Sequence, residues 1–120
     1  MNDVIDLDEL YVILRDVARR KSRITYSELS VLYEQQTGEW HEFHGTWDAP
    51  LGQLNNILYE AGLEPLSAVV VLKNGGEPGS GFWGSSPGVP AEPRKAEDRL
   101  LKWAMILKRV HAEDWPDELP

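Results

Sequence analysis

The stretch TYSELSVLYEQQTG, from Thr25 to Gly38, carries the clearest local structural signals in this chain of 120 residues. Thr25 is followed three residues later by Glu28, the capping-box spacing in which each side chain satisfies a free backbone N–H at a helix start. Apolar residues then recur at three- and four-residue steps, and Gly38 stands where a glycine commonly ends a helix. The stretch predicts a helix over residues 26–37.

Similar signals predict a helix before this stretch and two after it. Apolar residues share one face over residues 6–20, and basic residues follow in the last turn, where they complement the helix dipole. Asp48 is a suitable N-cap for a third helix, with Pro50 tolerated in its first turn and Gly62 as its stop. A fourth helix is predicted over residues 94–112.

Between the third and fourth helices, the sequence predicts a β-hairpin. LSAVVVLK, residues 66–73, is rich in β-branched residues, and Asn74-Gly75 is the signal for a tight two-residue turn. EPGSGFWG, residues 77–84, is then a loose, glycine-rich return strand. The element order predicts an α+β fold of the winged helix-turn-helix type, with three helices and a β-hairpin wing followed by a C-terminal helix.

Length and composition indicate one globular domain. We divide residues 1–120 into a winged-helix-like core (1–84), a linker (85–93), the C-terminal helix (94–112) and an acidic tail (113–120). The chain has no cysteine, no basic and apolar leader at its N-terminus and no apolar run long enough to cross a bilayer. We therefore expect a cytoplasmic protein without membrane association or a cofactor, and the oligomeric state stays open.

The net charge of −8 is confined to the middle of the chain. The first 23 residues carry five acids and five bases, and residues 94–120 carry six of each. Between Ile24 and Pro93, nine carboxylates face one base, Lys73. Because charge distribution governs which partners a surface attracts, this asymmetry favours a basic partner.

Three segments resemble the DNA-binding domain of the O6-alkylguanine-DNA alkyltransferases and alkyltransferase-like proteins. They are ITYSELSVLYEQQ, APLGQLNNILYEAG and PLSAVVVLKNGGEPGSGFWG, within residues 24–84. In that family the corresponding motifs are a "TYG" helix, an "ARAVG" recognition helix and "PCHRVV…GGY" leading into the wing. The positions that match are those of the scaffold: Tyr26, Gly52, Pro65, Val69, Val70 and Gly81.

The working residues of that family are absent from this chain. Leu66 stands where the resemblance places the reactive Cys or Trp, and Ser67 and Ala68 stand where it places the following His and Arg. Ala49 replaces the DNA-inserting arginine. Without a thiolate, alkyl transfer has no nucleophile.

Nucleic-acid binding, which the resemblance suggests, is the alternative to binding a basic protein partner. The third helix carries amide side chains that can contact the edges of nucleobases, but it has no Lys or Arg to neutralise phosphate. The basic residues that flank it must therefore supply that charge. A solvated polar face is the other interpretation of the amides. The residues that this alternative uses are Arg19, Arg20, Lys21, Arg23, Gln53, Asn55 and Asn56.

The stretch GEWHEFHGTWD, residues 38–48, raises the question of a metal or catalytic site. His41 and His44 with nearby carboxylates suit zinc, but a loop between glycines offers no common helical face and no fourth ligand is spaced for it. An acid–base pair such as His44 with Asp48 still needs a nucleophile or a positioned substrate. We expect no metal site and no enzyme activity.

Two interpretations of this stretch remain. Its aromatic residues either fold the loop onto the core, or serve as exposed anchors beside carboxylates that steer a basic protein. Phe82 and Trp83 can likewise either add an aromatic contact to the partner or pack in the core. Trp103 and Trp115 are expected to pack in the core and to dock the C-terminal tail. We predict a non-enzymatic acidic binding protein, such as an inhibitor or immunity-type protein for a nuclease or another nucleic-acid-handling protein. The predicted contacts are Glu39, Trp40, Glu42, His44, Trp47, Asp48, Phe82 and Trp83.

Overall fold

The computed structural model describes residues 4–74 and 76–120 and is mostly helical. The four helices are α1 (Leu7–Arg19), α2 (Tyr26–Thr37), α3 (Asp48–Glu60) and α4 (Ala96–Ala112). Two short strands, β1 (Ile24–Thr25) and β2 (Val70–Val71), pair in parallel. The 3₁₀ turns Leu66–Val69 and Ser80–Phe82 precede and follow β2.

The local signals around α2 are confirmed. The Thr25 hydroxyl accepts a hydrogen bond from the Glu28 N–H at 3.1 Å, and the Glu28 carboxylate accepts one from the Thr25 N–H at 3.0 Å. Gly38 ends the helix with φ of 82°, a left-handed conformation that glycine adopts without a steric penalty. The predicted bounds of this helix match the structure. For α3, Trp47 rather than Asp48 occupies the N-cap position.

The predicted β-hairpin wing, and with it the winged-helix class, is wrong. The first half of the expected strand forms the Leu66–Val69 turn, and only Val70–Val71 is extended. Its partner is β1, with Ile24 opposite Val70, rather than the return segment. The Leu72 N–H donates to the Glu77 carbonyl at 2.8 Å. Gly75 of the predicted Asn74-Gly75 turn lies outside the described residues.

Tertiary contacts explain this difference. Helices α1, α3 and α4 all pack against the Leu66–Val69 turn, so residues 66–71 are buried, as in an interior parallel strand rather than a half-exposed wing. Beyond the bond between Glu77 and Leu72, the return segment is bonded to the start of α2 instead of to β2. Pro78 has no N–H to donate, and the Gly79 N–H donates to the Tyr26 hydroxyl at 3.1 Å.

The C-terminal helix α4 begins at Ala96 and closes the core. Its inner face buries Trp103, Ile106 and Val110, and the Trp103 indole N–H donates to the Ala68 carbonyl at 2.9 Å. Leu100, three residues before Trp103, is 43% exposed. Before α4, the segment of residues 85–93 contacts the core through buried Val89.

The last eight residues dock onto α1. Trp115 is buried as expected, and its ring meets Tyr11 edge-on with the centroids 6.5 Å apart. Arg19 donates to the Trp115 carbonyl at 2.7 Å and to the Asp117 carboxylate at 2.9 Å. This hydrogen bond and charge lower the pKa of Asp117. Within the described residues, the longest helices lack the length and apolar character needed to cross a membrane.

Candidate functional site

The excess negative charge lies on α2, on α3 and on the loop between them. Three of the nine carboxylates between Ile24 and Pro93 pair with arginines of α4. Glu77 and Glu92 contact Arg99, and Glu64 lies 3.5 Å from Arg109. The six that remain are exposed on α2, on α3 and on the loop between these helices, and none forms an ion pair with a Lys or Arg among the described residues. We call these six the acidic surface: Glu28, Glu34, Glu39, Glu42, Asp48 and Glu60.

A buried tryptophan fixes the loop between α2 and α3. Trp47 is 0% exposed, and its indole N–H donates to the buried Ser30 hydroxyl at 2.9 Å. Its ring meets Tyr33 edge-on with the centroids 5.4 Å apart, and the His41 ring lies 6.1 Å away. The expectation that Trp47 offers an exposed anchor is therefore wrong, because this residue belongs to the core.

The other predicted contacts of this loop are on the surface. Glu39, Glu42, His44 and Asp48 are exposed, and Trp40 is 50% exposed. Glu42 accepts a hydrogen bond from the His44 N–H at 2.7 Å and its carboxylate also contacts the His44 ring. Desolvation acts to raise the pKa of Glu42, but these bonds outweigh it and lower the pKa, so the carboxylate stays charged at neutral pH.

For Phe82 and Trp83, core packing is the arrangement observed. Both side chains are buried, and their rings meet edge-on with the centroids 5.2 Å apart. Neither is available to a partner in this fold, so the aromatic contribution from the predicted set reduces to Trp40.

The residues of the nucleic-acid alternative are partly committed to internal contacts. Asn55 is only 1% exposed and donates to the hydroxyls of Ser67 at 2.7 Å and Ser85 at 3.2 Å. Because Asn55 is buried, its amide neither faces solvent nor is available to contact a nucleobase. Gln53 and Asn56, on the same helix, are exposed.

Of the basic residues near the end of α1, some are likewise engaged in internal contacts and others are exposed. Arg19 holds the C-terminal tail, and Arg20 donates to the Asp16 carbonyl at 3.2 Å. The Arg23 guanidinium lies 5.8 Å from the centre of the Trp103 ring, a cation–π arrangement. Lys21 is exposed. Only part of the predicted positive charge is therefore free to meet phosphate.

The structure also contains a groove that the sequence did not reveal. It encloses about 670 Å³ between the starts of α2 and α3 and the residues 72–74 and 79–81. Its wall includes Asp48 of the acidic surface. The other wall residues that matter for binding are Tyr26, Phe43, His44, Leu72 and Lys73.

Two close approaches set the shape of this groove. The Gly79 N–H contacts the Tyr26 hydroxyl, and burial raises the pKa of that phenol, which is therefore protonated at neutral pH. A methyl group on Gly81 would lie 2.7 Å from the Asp48 carboxyl carbon, so the absence of a side chain there lets the wall close against α3.

We expect Gly81→Ala to lower the free energy of unfolding by less than about 1 kcal/mol, because its methyl group meets only the exposed carboxylate of Asp48, which can rotate away. Gly52→Ala is the matched control. A methyl group on Gly52 has its nearest neighbour at 3.5 Å, and alanine favours a helix interior, so we expect a gain of about 0.5–1 kcal/mol. Urea unfolding of both variants measures the difference. A gain in stability for Gly81→Ala as large as that for Gly52→Ala would contradict this packing.

No protein-family model, curated protein or solved structure matches the chain. Among residues 4–74 and 76–120, no three His, Asp or Glu side chains are grouped so that they could hold a metal ion. Interpretation of the site therefore depends on its charge, exposure and shape.

Proposed function

We propose that this protein is a non-enzymatic binding protein whose acidic surface engages a basic protein partner. The observation that supports this proposal is that six exposed carboxylates have no Lys or Arg ion-pair partner among the described residues. Exposed charges of one sign accelerate encounter with a partner of the opposite sign and reject partners of like charge.

Trp40 and the groove supply contacts that charge alone does not. Trp40 is half-exposed and has carboxylates beside it in the sequence. Tryptophan is one of the residue types that most often dominate the binding energy of a protein interface. The groove has room for a partner side chain, and the carboxylate of Asp48, which belongs to both the groove wall and the acidic surface, accepts hydrogen bonds from Lys or Arg.

These features favour one class of partner. Nucleases and other nucleic-acid-handling proteins carry basic surfaces that neutralise phosphate, so an acidic surface of this kind suits an inhibitor or immunity-type protein. The chain lacks cysteine, which suits the reducing cytoplasm, and we place the interaction there.

The first experiment is affinity capture from native lysate at low and high salt, beside a titration of labelled duplex DNA. The test variant is Glu34→Lys with Glu39→Lys, two exposed sites near the end of α2 where a positive charge does not oppose the helix dipole. The control, Asp114→Lys with Glu118→Lys, makes the same charge change in the tail.

We expect one basic protein to be captured by wild type and by the control, and to be lost with the test variant. Duplex DNA is expected to bind none of the three proteins at physiological salt. Tight DNA binding without a protein partner would overturn the proposal and favour the nucleic-acid alternative, and its affinity would then fall steeply with salt.

A further inference from the structure

The outer side of α4 carries two exposed apolar side chains. Leu101 is 66% exposed and Met105 is 56% exposed, one helical turn apart. They point away from the side of α4 that buries Trp103 and Val110, since successive helical residues are rotated by about 100°. They therefore form an apolar strip that the rest of the described fold leaves uncovered.

The first and last turns of α4 carry charges of opposite sign, and the exposed Arg94 and Lys95 precede the first turn. Glu97 and Asp98 are in the first turn of α4, and Lys108 and Arg109 are near its end. Arg109 is paired with Glu64, whereas Glu97, Asp98 and Lys108 form no ion pair with any residue that the structure describes. Such an arrangement complements itself when the helix direction is reversed.

We propose that α4 packs antiparallel against α4 of a second copy of this chain, with Leu101 of each copy against Met105 of the other. A two-fold axis level with position 103 relates the two apolar residues. The same axis brings the acidic first turn of each helix level with the basic last turn of the other helix. The reason is that the acidic residues lie three to four residues before Leu101, and the basic residues lie three to four residues after Met105. A parallel arrangement would instead place like charges together.

The second copy is favoured over another partner because the strip complements itself in both its apolar pair and its charges. The contact surface is that of one helix pair, smaller than a standard stable interface, so we expect a weak dimer that dissociates on dilution. This inference is independent of the proposed function, since α4 contributes nothing to the acidic surface.

Sedimentation over a range of concentrations tests the dimer. Wild type is expected to shift from 13.6 kDa toward twice that mass as concentration rises. Glu97→Lys and Lys108→Glu are each expected to weaken dimerisation about tenfold, since the two-fold axis makes every contact occur twice. The two changes together restore the opposite charges, and we expect the affinity of this double variant to return to within about threefold of wild type.

The double variant separates dimerisation from helix stability. Both substitutions oppose the helix dipole, so a purely intrahelical effect makes the double variant worse than either single one. Leu101→Gln with Met105→Gln is expected to be monomeric with an unchanged far-ultraviolet circular dichroism spectrum. A wild type that stays monomeric at the highest concentration, or a double variant that dimerises less than both single variants, would overturn the proposal.

Discussion

Replacing Trp47 by alanine is expected to lower the free energy of unfolding by about 3–5 kcal/mol, a large part of the stability of a domain of this size. The side chain is fully buried, so its removal loses apolar burial and leaves a cavity beside Tyr33 and His41. It also leaves the buried Ser30 hydroxyl without its indole donor.

Guanidinium unfolding monitored by circular dichroism measures this loss. Trp40→Ala is the matched control, because it removes the same side chain seven positions earlier, where it is half-exposed. We expect that control to cost less than about 1 kcal/mol. Equal costs for the two substitutions would show that Trp47 is not the residue that fixes the loop.

The loop between α2 and α3 shows why the sequence could not distinguish these two tryptophans. Helix and strand patterns reveal which side faces inward through their periodicity, and an irregular loop has none. Trp40 and Trp47 therefore have equivalent sequence signals. Only the tertiary contacts of Trp47 with Ser30 and Tyr33 decide which one is buried.

Helix bounds were predictable where capping is local. Thr25, Glu28 and Gly38 form their contacts within one helix, so the sequence contains all the information that sets the ends of α2. The predicted hairpin failed because the partner of Val70 is Ile24, far away in the chain. A β-branched run followed by Asn-Gly indicates a strand and a turn, but it cannot show that helices will cover the run on all sides.

The candidate site was predictable in its charge and not in its geometry. Counting residues located the acidic excess, but the neutralisation of Glu64, Glu77 and Glu92 by Arg99 and Arg109 depends on where α4 docks. The sequence also did not indicate that Asn55 is buried. An amide side chain on a helix is usually solvated, and here it is buried because hydroxyls from distant parts of the chain accept its hydrogen bonds.

The second large effect concerns association with the captured partner. Glu34→Lys with Glu39→Lys changes the charge of the acidic surface by four units, and we expect the association rate constant at low ionic strength to fall about tenfold or more. The dissociation rate constant is expected to change less, because exposed charges act mainly on diffusional encounter.

Asp48 is left unchanged in this test although it belongs to the acidic surface. Its carboxylate packs against Gly81, so a substitution there would change the shape of the groove together with its charge. Glu42 is left unchanged because its hydrogen bonds to His44 hold the loop. Glu39 lies 3.6 Å from the His41 ring, so the circular dichroism spectrum of the test variant is compared with that of wild type to check that the loop keeps its structure.

Stopped-flow association with that partner, measured against ionic strength, tests whether the acidic surface is the steering surface. We predict that the wild-type rate falls steeply as salt increases, that the Glu34 and Glu39 variant is slower and less dependent on salt, and that the Asp114 and Glu118 control follows wild type. Equal rates for the test variant and wild type, or an equal loss in the test variant and the control, would contradict a localised acidic binding surface.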